Sequence, residues 1–218
     1  MRGIDTMDED DAQDRALLEA WRKGDKAAGS KLFDRHYPAL LRFFRNKVER
    51  GVEDLIQETM LACVQGRDRL RDDGTFRSYL FGAARFVLYA FVRRKRGADL
   101  DADEVSIAAI GPGIATNYAK HAEQQLILHA LRRLPITDQM TLELYYFEGL
   151  STPEIADALE LPLGTVAGRI RRGSVRLREE VERLAESPDL MTSTITHMGG
   201  WLEKLGNGRK PPELEESA

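Results

Sequence analysis

A chain of 218 residues with 42% apolar and 31% charged side chains has the ordinary balance of a soluble protein that buries one large core or two small ones. No apolar run approaches the ~18 residues of a membrane span, and the acidic start (Asp5, Asp8, Glu9, Asp10, Asp11, Asp14) is the opposite of a secretory leader. Cys63 is the only cysteine, which excludes an intramolecular disulfide and a thiolate zinc cluster, so the expected compartment is the cytoplasm. The net charge of −4 hides an uneven distribution. Acid gathers at the start, at Asp99 to Glu104 and in the tail, whereas arginine gathers between Arg85 and Arg96 and again between Arg169 and Arg178. Two separated basic patches on an acidic chain point to two DNA contacts.

Residues 13–50 read as helical, with Leu17, Leu18, Trp21, Leu32, Phe33, Tyr37, Leu40, Leu41 and Phe44 at helical spacing. Gly24-Asp25 and His36-Tyr37-Pro38 interrupt or bend that stretch. A second helix is predicted from Val52 to Gln65. It places Asp54, Gln57, Glu58, Leu61 and Gln65 on one polar, acidic stripe, with Ile56, Thr59, Met60 and Cys63 opposite. That stripe suits a protein-binding surface, and an ordinary amphipathic helix has the same pattern. A third helix follows from Phe76 to Arg96, in which Phe86 and Phe91 read as packing residues.

From residue 98 to 119 the acidic and Gly-Pro-rich composition predicts a flexible linker. Helical pattern resumes near Tyr118, stops at Leu134-Pro135, and returns at about residues 137–147, 153–159 and 164–185. Ser151 and Glu154 have capping-box spacing around Pro153, and Glu160-Leu161-Pro162 forms a tight turn. Two helices so joined, the second one basic, form a helix-turn-helix. At about 100° per residue, Val166, Ile170, Leu177, Val181 and Leu184 share a stripe to be buried, with Gly173 at its edge. Thr165, Arg169, Arg172 and Arg176 share another, expected to face solvent and able to read guanine edges in a major groove. A solvated basic face without a partner is the alternative. The tail around Trp201, Leu202 and Leu205 reads as a flexible extension or a small docking helix, and as an autoinhibitory or partner-binding element in the second case.

The run Asp54-Leu-Ile-Gln-Glu-Thr, then Gly74-Thr-Phe-Arg-Ser-Tyr-Leu-Phe-Gly-Ala-Ala-Arg85 and Arg93-Arg-Lys-Arg96, resembles region 2 of sigma-70-family factors. Leu134-Pro135, Tyr145 to Ser151, Glu154-Ile-Ala and Gly164-Thr-Val with Arg169 look like region 4. Region 3 is replaced by the linker, as in the extracytoplasmic-function (ECF) group. The resemblance implies an all-α chain of two small helical domains. An acidic segment (1–13) precedes a region 2-like bundle (14–97), and the linker (98–119) leads to a region 4-like helix-turn-helix (120–185) and an extension (186–218).

By the same resemblance, Asp54, Gln57, Glu58 and Leu61 contact the clamp helices of the polymerase β′ subunit. Arg71, Phe76, Arg77, Tyr79, Arg85, Arg93 and Arg94 recognise and melt the −10 promoter element, with aromatic faces stacking on single-stranded bases. Ser151, Thr165, Arg169, Arg172 and Arg176 read the −35 element, and region 4 also touches the β flap. Family members often carry Trp at the place of Tyr79 and Lys or Ser at those of Ala167 and Gly168. The implied partners are core RNA polymerase, promoter DNA and, as for many relatives, an anti-sigma factor. No cofactor is implied. The runner-up is a helix-turn-helix regulator that acts without polymerase. An enzyme is disfavoured, since no phosphate-binding glycine loop, Gly-x-Ser-x-Gly or His-Glu-x-x-His occurs and the four histidines are scattered. The acidic stretches 5–14 and 99–104 are candidates to screen the basic faces of the free chain.

Overall fold

The computed structural model describes residues 5–67, 75–96, 101–109 and 121–206, and among them secondary structure is helical apart from one isolated bridge between Ser106 and Pro135. Four helices come first: α1 (Asp5–Arg22), α2 (Lys26–Arg45), α3 (Val52–Gln65) and α4 (Phe76–Arg96). A 3-10 turn (Ile107–Ala109) precedes α5 (Ala122–Arg133), α6 (Ile136–Tyr146), α7 (Thr152–Leu159), α8 (Leu163–Leu184), α9 (Pro188–Thr196) and α10 (Met198–Leu205). Arg71 lies outside the described residues, as do the side chains of the first ten.

Gly24 takes φ +101°, closing the chain from α1 into α2, and Asp25 then caps α2 by accepting from the backbone N–H of Ala27 (2.9 Å) and Ala28 (3.1 Å). Pro38 does not end α2. A proline in a helix interior costs about 3 kcal/mol, but Leu40, Phe43 and Phe44 beyond it are buried, and each such burial is worth about 1.5–3 kcal/mol. Packing therefore carries the helix through. At the edge of this bundle Asp14 accepts from Arg35 Nε at 2.8 Å and lies 2.6 Å from His36 Nε2. Burial alone would raise the Asp14 pKa, yet the hydrogen bond and charge of His36, then those of Arg35, hold the carboxyl below its ordinary 3.8. Because the folded value is depressed, this contribution to stability is complete above about pH 4 and is lost as pH falls through the folded pKa. Melting temperatures measured from pH 5 down to pH 2 should fall more for the wild type than for Asp14→Asn.

The second half assembles around the helix-turn-helix. Ser151 and Glu154 form the expected capping box at the start of α7, and Glu160 in the left-handed region (φ 53°) turns the chain toward α8. Val166, Ile170, Gly173, Leu177 and Val181 are the buried stripe of α8. The tail is a docked pair of helices over residues 188–205, with Leu202 and Leu205 buried and Trp201 tilted against His121 at 5.3 Å between centroids.

Two features differ from a pair of bundles on a flexible tether. The described middle of the linker is docked: Ile107 is 2% exposed, and the carbonyls of Val105 and Ala102 accept from the N–H groups of Ile136 (2.9 Å) and Thr137 (3.2 Å). The two halves also share one continuous core, because α4 lies along α7. Gly82 makes that approach close, since a Cβ there would stand 3.5 Å from the carbonyl oxygen of Ala158. Cys63 is sealed inside the first half, and burial pushes its thiol up to about 12. Alkylation at pH 8 should leave it unmodified in the native chain and label it only after denaturation, as read by mass spectrometry.

Candidate protein and nucleic-acid interfaces

The outer face of α3 is as its spacing predicts. Asp54, Gln57, Glu58 and Leu61 are exposed, while Val52, Leu55, Ile56, Thr59 and Cys63 are buried on the opposite side. Leu61 is 56% exposed, and Val64, one turn on, adds a second exposed apolar side chain that was not among the predicted site residues. Glu58 meets Arg94 at 3.6 Å, but both are open to solvent and such a pair contributes little. The outer face of α3 thus presents carboxylates, an amide and two apolar groups together to solvent.

On α4 the predicted DNA residues divide. Phe76 is 3% exposed and packs edge-on against Trp21 (6.5 Å) and Phe33 (5.8 Å), so it is core here and cannot stack on a base. Arg77 is buried too, donating to the carbonyl of Glu148, because a guanidinium beside the helix-turn-helix satisfies an acceptor that water cannot reach. The half-buried Tyr79 donates to the carbonyl of Cys63 at 3.2 Å. Arg85 donates to the carbonyl of Leu159 at 2.8 Å and pairs with Glu160 at 2.6 Å. Arg93 and Arg94 are exposed.

Phe86 reverses its expectation. It is 65% exposed, whereas Phe91 does pack against the core. Val87 and Leu88 next to it fill the inner face, and α4 carries more apolar side chains than that face can hold. Positions 79, 86 and 93 are seven apart and so share one stripe. The helix thus offers a half-buried tyrosine, an exposed phenylalanine and an exposed arginine in a row.

On α8, Arg171, Arg172, Arg176 and Arg178 are exposed and Thr165 is half-buried. Arg169 is not free as expected. Its side chain is 15% exposed, with Nη1 and Nη2 on the two carboxylate oxygens of Asp103 at 3.0 and 2.9 Å and Nη1 also on Asp138 at 3.3 Å. Asp138 is buried and binds Arg176 as well. A buried carboxylate needs cations, and these two arginines are the ones within its reach. The Arg169 hydrogen bonds hold the Asp103 carboxyl below the ordinary carboxylate range, against the smaller opposing effect of its burial. Asp138 was missing from the predicted set; its only sequence signal is an acid in the first turn of a helix. The Ser151 hydroxyl is engaged in the cap, donating to Glu154 at 2.8 Å.

Comparison with known proteins bears on these surfaces. Residues 32–98 match the family model described as Sigma-70 region 2, and residues 124–177 match Sigma-70, region 4, together more than half of the chain. The ECF RNA polymerase sigma-E factor of Escherichia coli (strain K12) is 29% identical over 182 residues, covering 78% of this chain and 95% of that protein. The sigma-E factor of Salmonella typhimurium (strain LT2) matches to the same extent, 29% over 182 residues and the same 78% and 95%. Among solved structures, CnrH in complex with the cytosolic domain of CnrY shares the fold, with a TM-score of 0.60 and 24% identity over 79% of this chain and 99% of that one. Both matched regions fall where the helical units lie, region 2 across α2 to α4 and region 4 across α5 to α8. The chain therefore belongs to the sigma-70 family of RNA polymerase sigma factors, in its ECF group.

Proposed function

We propose that this sigma factor docks on core RNA polymerase through the outer face of α3 and reads its promoter through α4 and α8. Asp54, Gln57, Glu58 and Leu61 supply the polymerase contact. The Tyr79–Phe86–Arg93 stripe, with Arg85 and Arg94, supplies the −10 contact, because an exposed aromatic beside arginines stacks on an unpaired base while the cations hold its backbone. Arg169, Arg172 and Arg176, with Thr165, lie along the major groove of the −35 element. The chain acts as a non-enzymatic cytoplasmic subunit. Its partners are core polymerase, promoter DNA and a regulatory anti-sigma factor.

The observation that carries the reading is the combination in one chain of an exposed acidic α3 face, an exposed aromatic on the basic α4 and a basic helix-turn-helix. Run-off transcription from a genomic fragment library with purified core enzyme tests it. Stoichiometric binding to core and discrete start sites are expected. A chain that binds DNA yet ignores core would instead be a polymerase-independent regulator.

A further inference from the structure

We infer that Asp138 is a positioning residue for promoter reading: it holds Arg176, together with Arg169, in fixed directions along α8, so that the helix seats on duplex DNA in one register. The inference rests on the functional reading above, which assigns those arginines to the −35 element.

Asp138 lies in the first turn of α6, where the positive end of the helix dipole favours an anion, and Pro135 at the N-cap supplies no side-chain acceptor. Its side chain is 4% exposed, and its two oxygens serve different arginines. Oδ1 accepts from Arg169 Nη1 at 3.3 Å, and Oδ2 accepts from Arg176 Nη1. Arg169 and Arg176 are seven residues apart, about two turns and about 10.5 Å along the axis, so one carboxylate braces this stripe of α8 at two levels.

The two arginines are held to different degrees. Arg169 is largely covered and has Asp103 as a second carboxylate. Arg176 is 52% exposed, so it is anchored at one nitrogen while much of its side chain stays open to a ligand. A guanidinium carries its donors in a rigid plane, and fixing one of them limits the directions of the others. Arg172, between the two, pairs with no carboxylate among the described residues, and Gly168 gives it room, since a Cβ there would stand 3.0 Å from Arg172 Nη1.

The consequence is specificity. Unbraced arginines pair with any phosphate, which gives affinity that varies with salt and little with sequence. A braced arginine meets a phosphate from one direction, and this fixes where the neighbouring side chains fall on the base edges. Asp138 also lowers the positive charge of the face, which weakens indiscriminate binding. Buried beneath the arginines, it stays in place when their outer sides meet DNA, unlike Asp103, whose side chain is 53% exposed.

Holoenzyme assembled with Asp138→Asn tests the inference. Its affinity is measured over a series of salt concentrations for a promoter fragment recovered in the run-off selection and for the same fragment with a scrambled −35 element. The ratio of the two affinities should fall by about 10-fold, because the freed arginines gain on the scrambled fragment and lose register on the intact one. The salt slope on the scrambled fragment should steepen by about one. A ratio equal to the wild type, or a parallel loss on both fragments with an unchanged salt slope, would overturn the inference. Arg176→Lys repeats the test at a half-exposed position, keeping the charge but not the planar fork, and here the ratio should fall by roughly 3–10-fold. Undiminished discrimination in that variant would overturn the inference even where Asp138→Asn does not fold. Wild-type holoenzyme that fails to distinguish the two fragments would instead sink the assignment of α8 to the −35 element.

Discussion

Replacing Glu143 by alanine should part the two halves of the chain. The Glu143 carboxylate accepts from Lys47 Nζ, from Asn46 Nδ2 at 2.9 Å and from Gln139 Nε2 at 2.8 Å, and Lys47 has no exposed side-chain surface at all. Burial lowers the Lys47 pKa, and the charge and hydrogen bond of Glu143 are the main forces opposing that fall. In the variant the ammonium keeps its bond to the Phe43 carbonyl (2.7 Å) and its place over the Phe43 ring (3.9 Å), but faces no carboxylate on that side. Removing one partner of a buried pair costs about 3–5 kcal/mol. Because the pair joins the first half to Glu143 on α6, that cost falls on the contact between the halves rather than on the folding of either bundle, a shift of roughly 10²–10⁴-fold toward their separation. Small-angle scattering should show a larger radius of gyration for Glu143→Ala. Lys47→Met combined with Glu143→Leu is the counterpart: two apolar side chains of similar volume should keep the halves together. An unchanged radius in the alanine variant would mean that the halves are held together mainly by apolar contact along α4 and α7.

Charge reversal on α3 should abolish polymerase binding while leaving the chain folded. Asp54→Arg with Glu58→Arg changes two exposed carboxylates on a helix whose buried face is untouched. Exposed substitutions move stability by less than about 0.5 kcal/mol, to which Asp54 adds about 0.3–1 kcal/mol because it sits in the first helical turn, where negative charge is favoured. At an interface, truncating a charge matched to its partner costs about 2–5 kcal/mol, and a reversed charge adds repulsion. Core affinity should therefore fall by about 100-fold or more, measured by fluorescence anisotropy alongside a thermal melt. Leu61→Ala should produce a smaller loss of about 10-fold, since a leucine at an interface is seldom its main anchor. Retained core binding by the double arginine variant would place the polymerase contact on another face.

The helices themselves were legible to a high degree, and for a local reason. The limits Val52–Gln65 and Phe76–Arg96, the capping box at Ser151 and the apolar stripe of α8 depend on residues no more than a few positions apart. The acidic stripe of α3 belongs to the same class, because a helix with one sealed face must present the other. Pro38 was less legible, since its effect is decided by Leu40, Phe43 and Phe44 and by what they pack against.

Periodicity says which side chains share a face, but not how much of that face a neighbouring helix covers. Phe86 and Phe91 are five apart on one apolar-rich helix, and only packing separates the exposed ring from the seated one. The same holds for cations: Arg42 finds its carboxylate 106 positions away and Arg169 finds one 66 positions away, distances at which no spacing rule operates. Amphipathic spacing was thus enough to specify the helices, the helix-turn-helix and the exposed acidic face of α3, since those follow from turns of 3.6 residues. Whether the arginines meet solvent or the chain's own carboxylates was settled by long-range contact, where burial and charge pairing outweigh anything encoded in neighbouring residues.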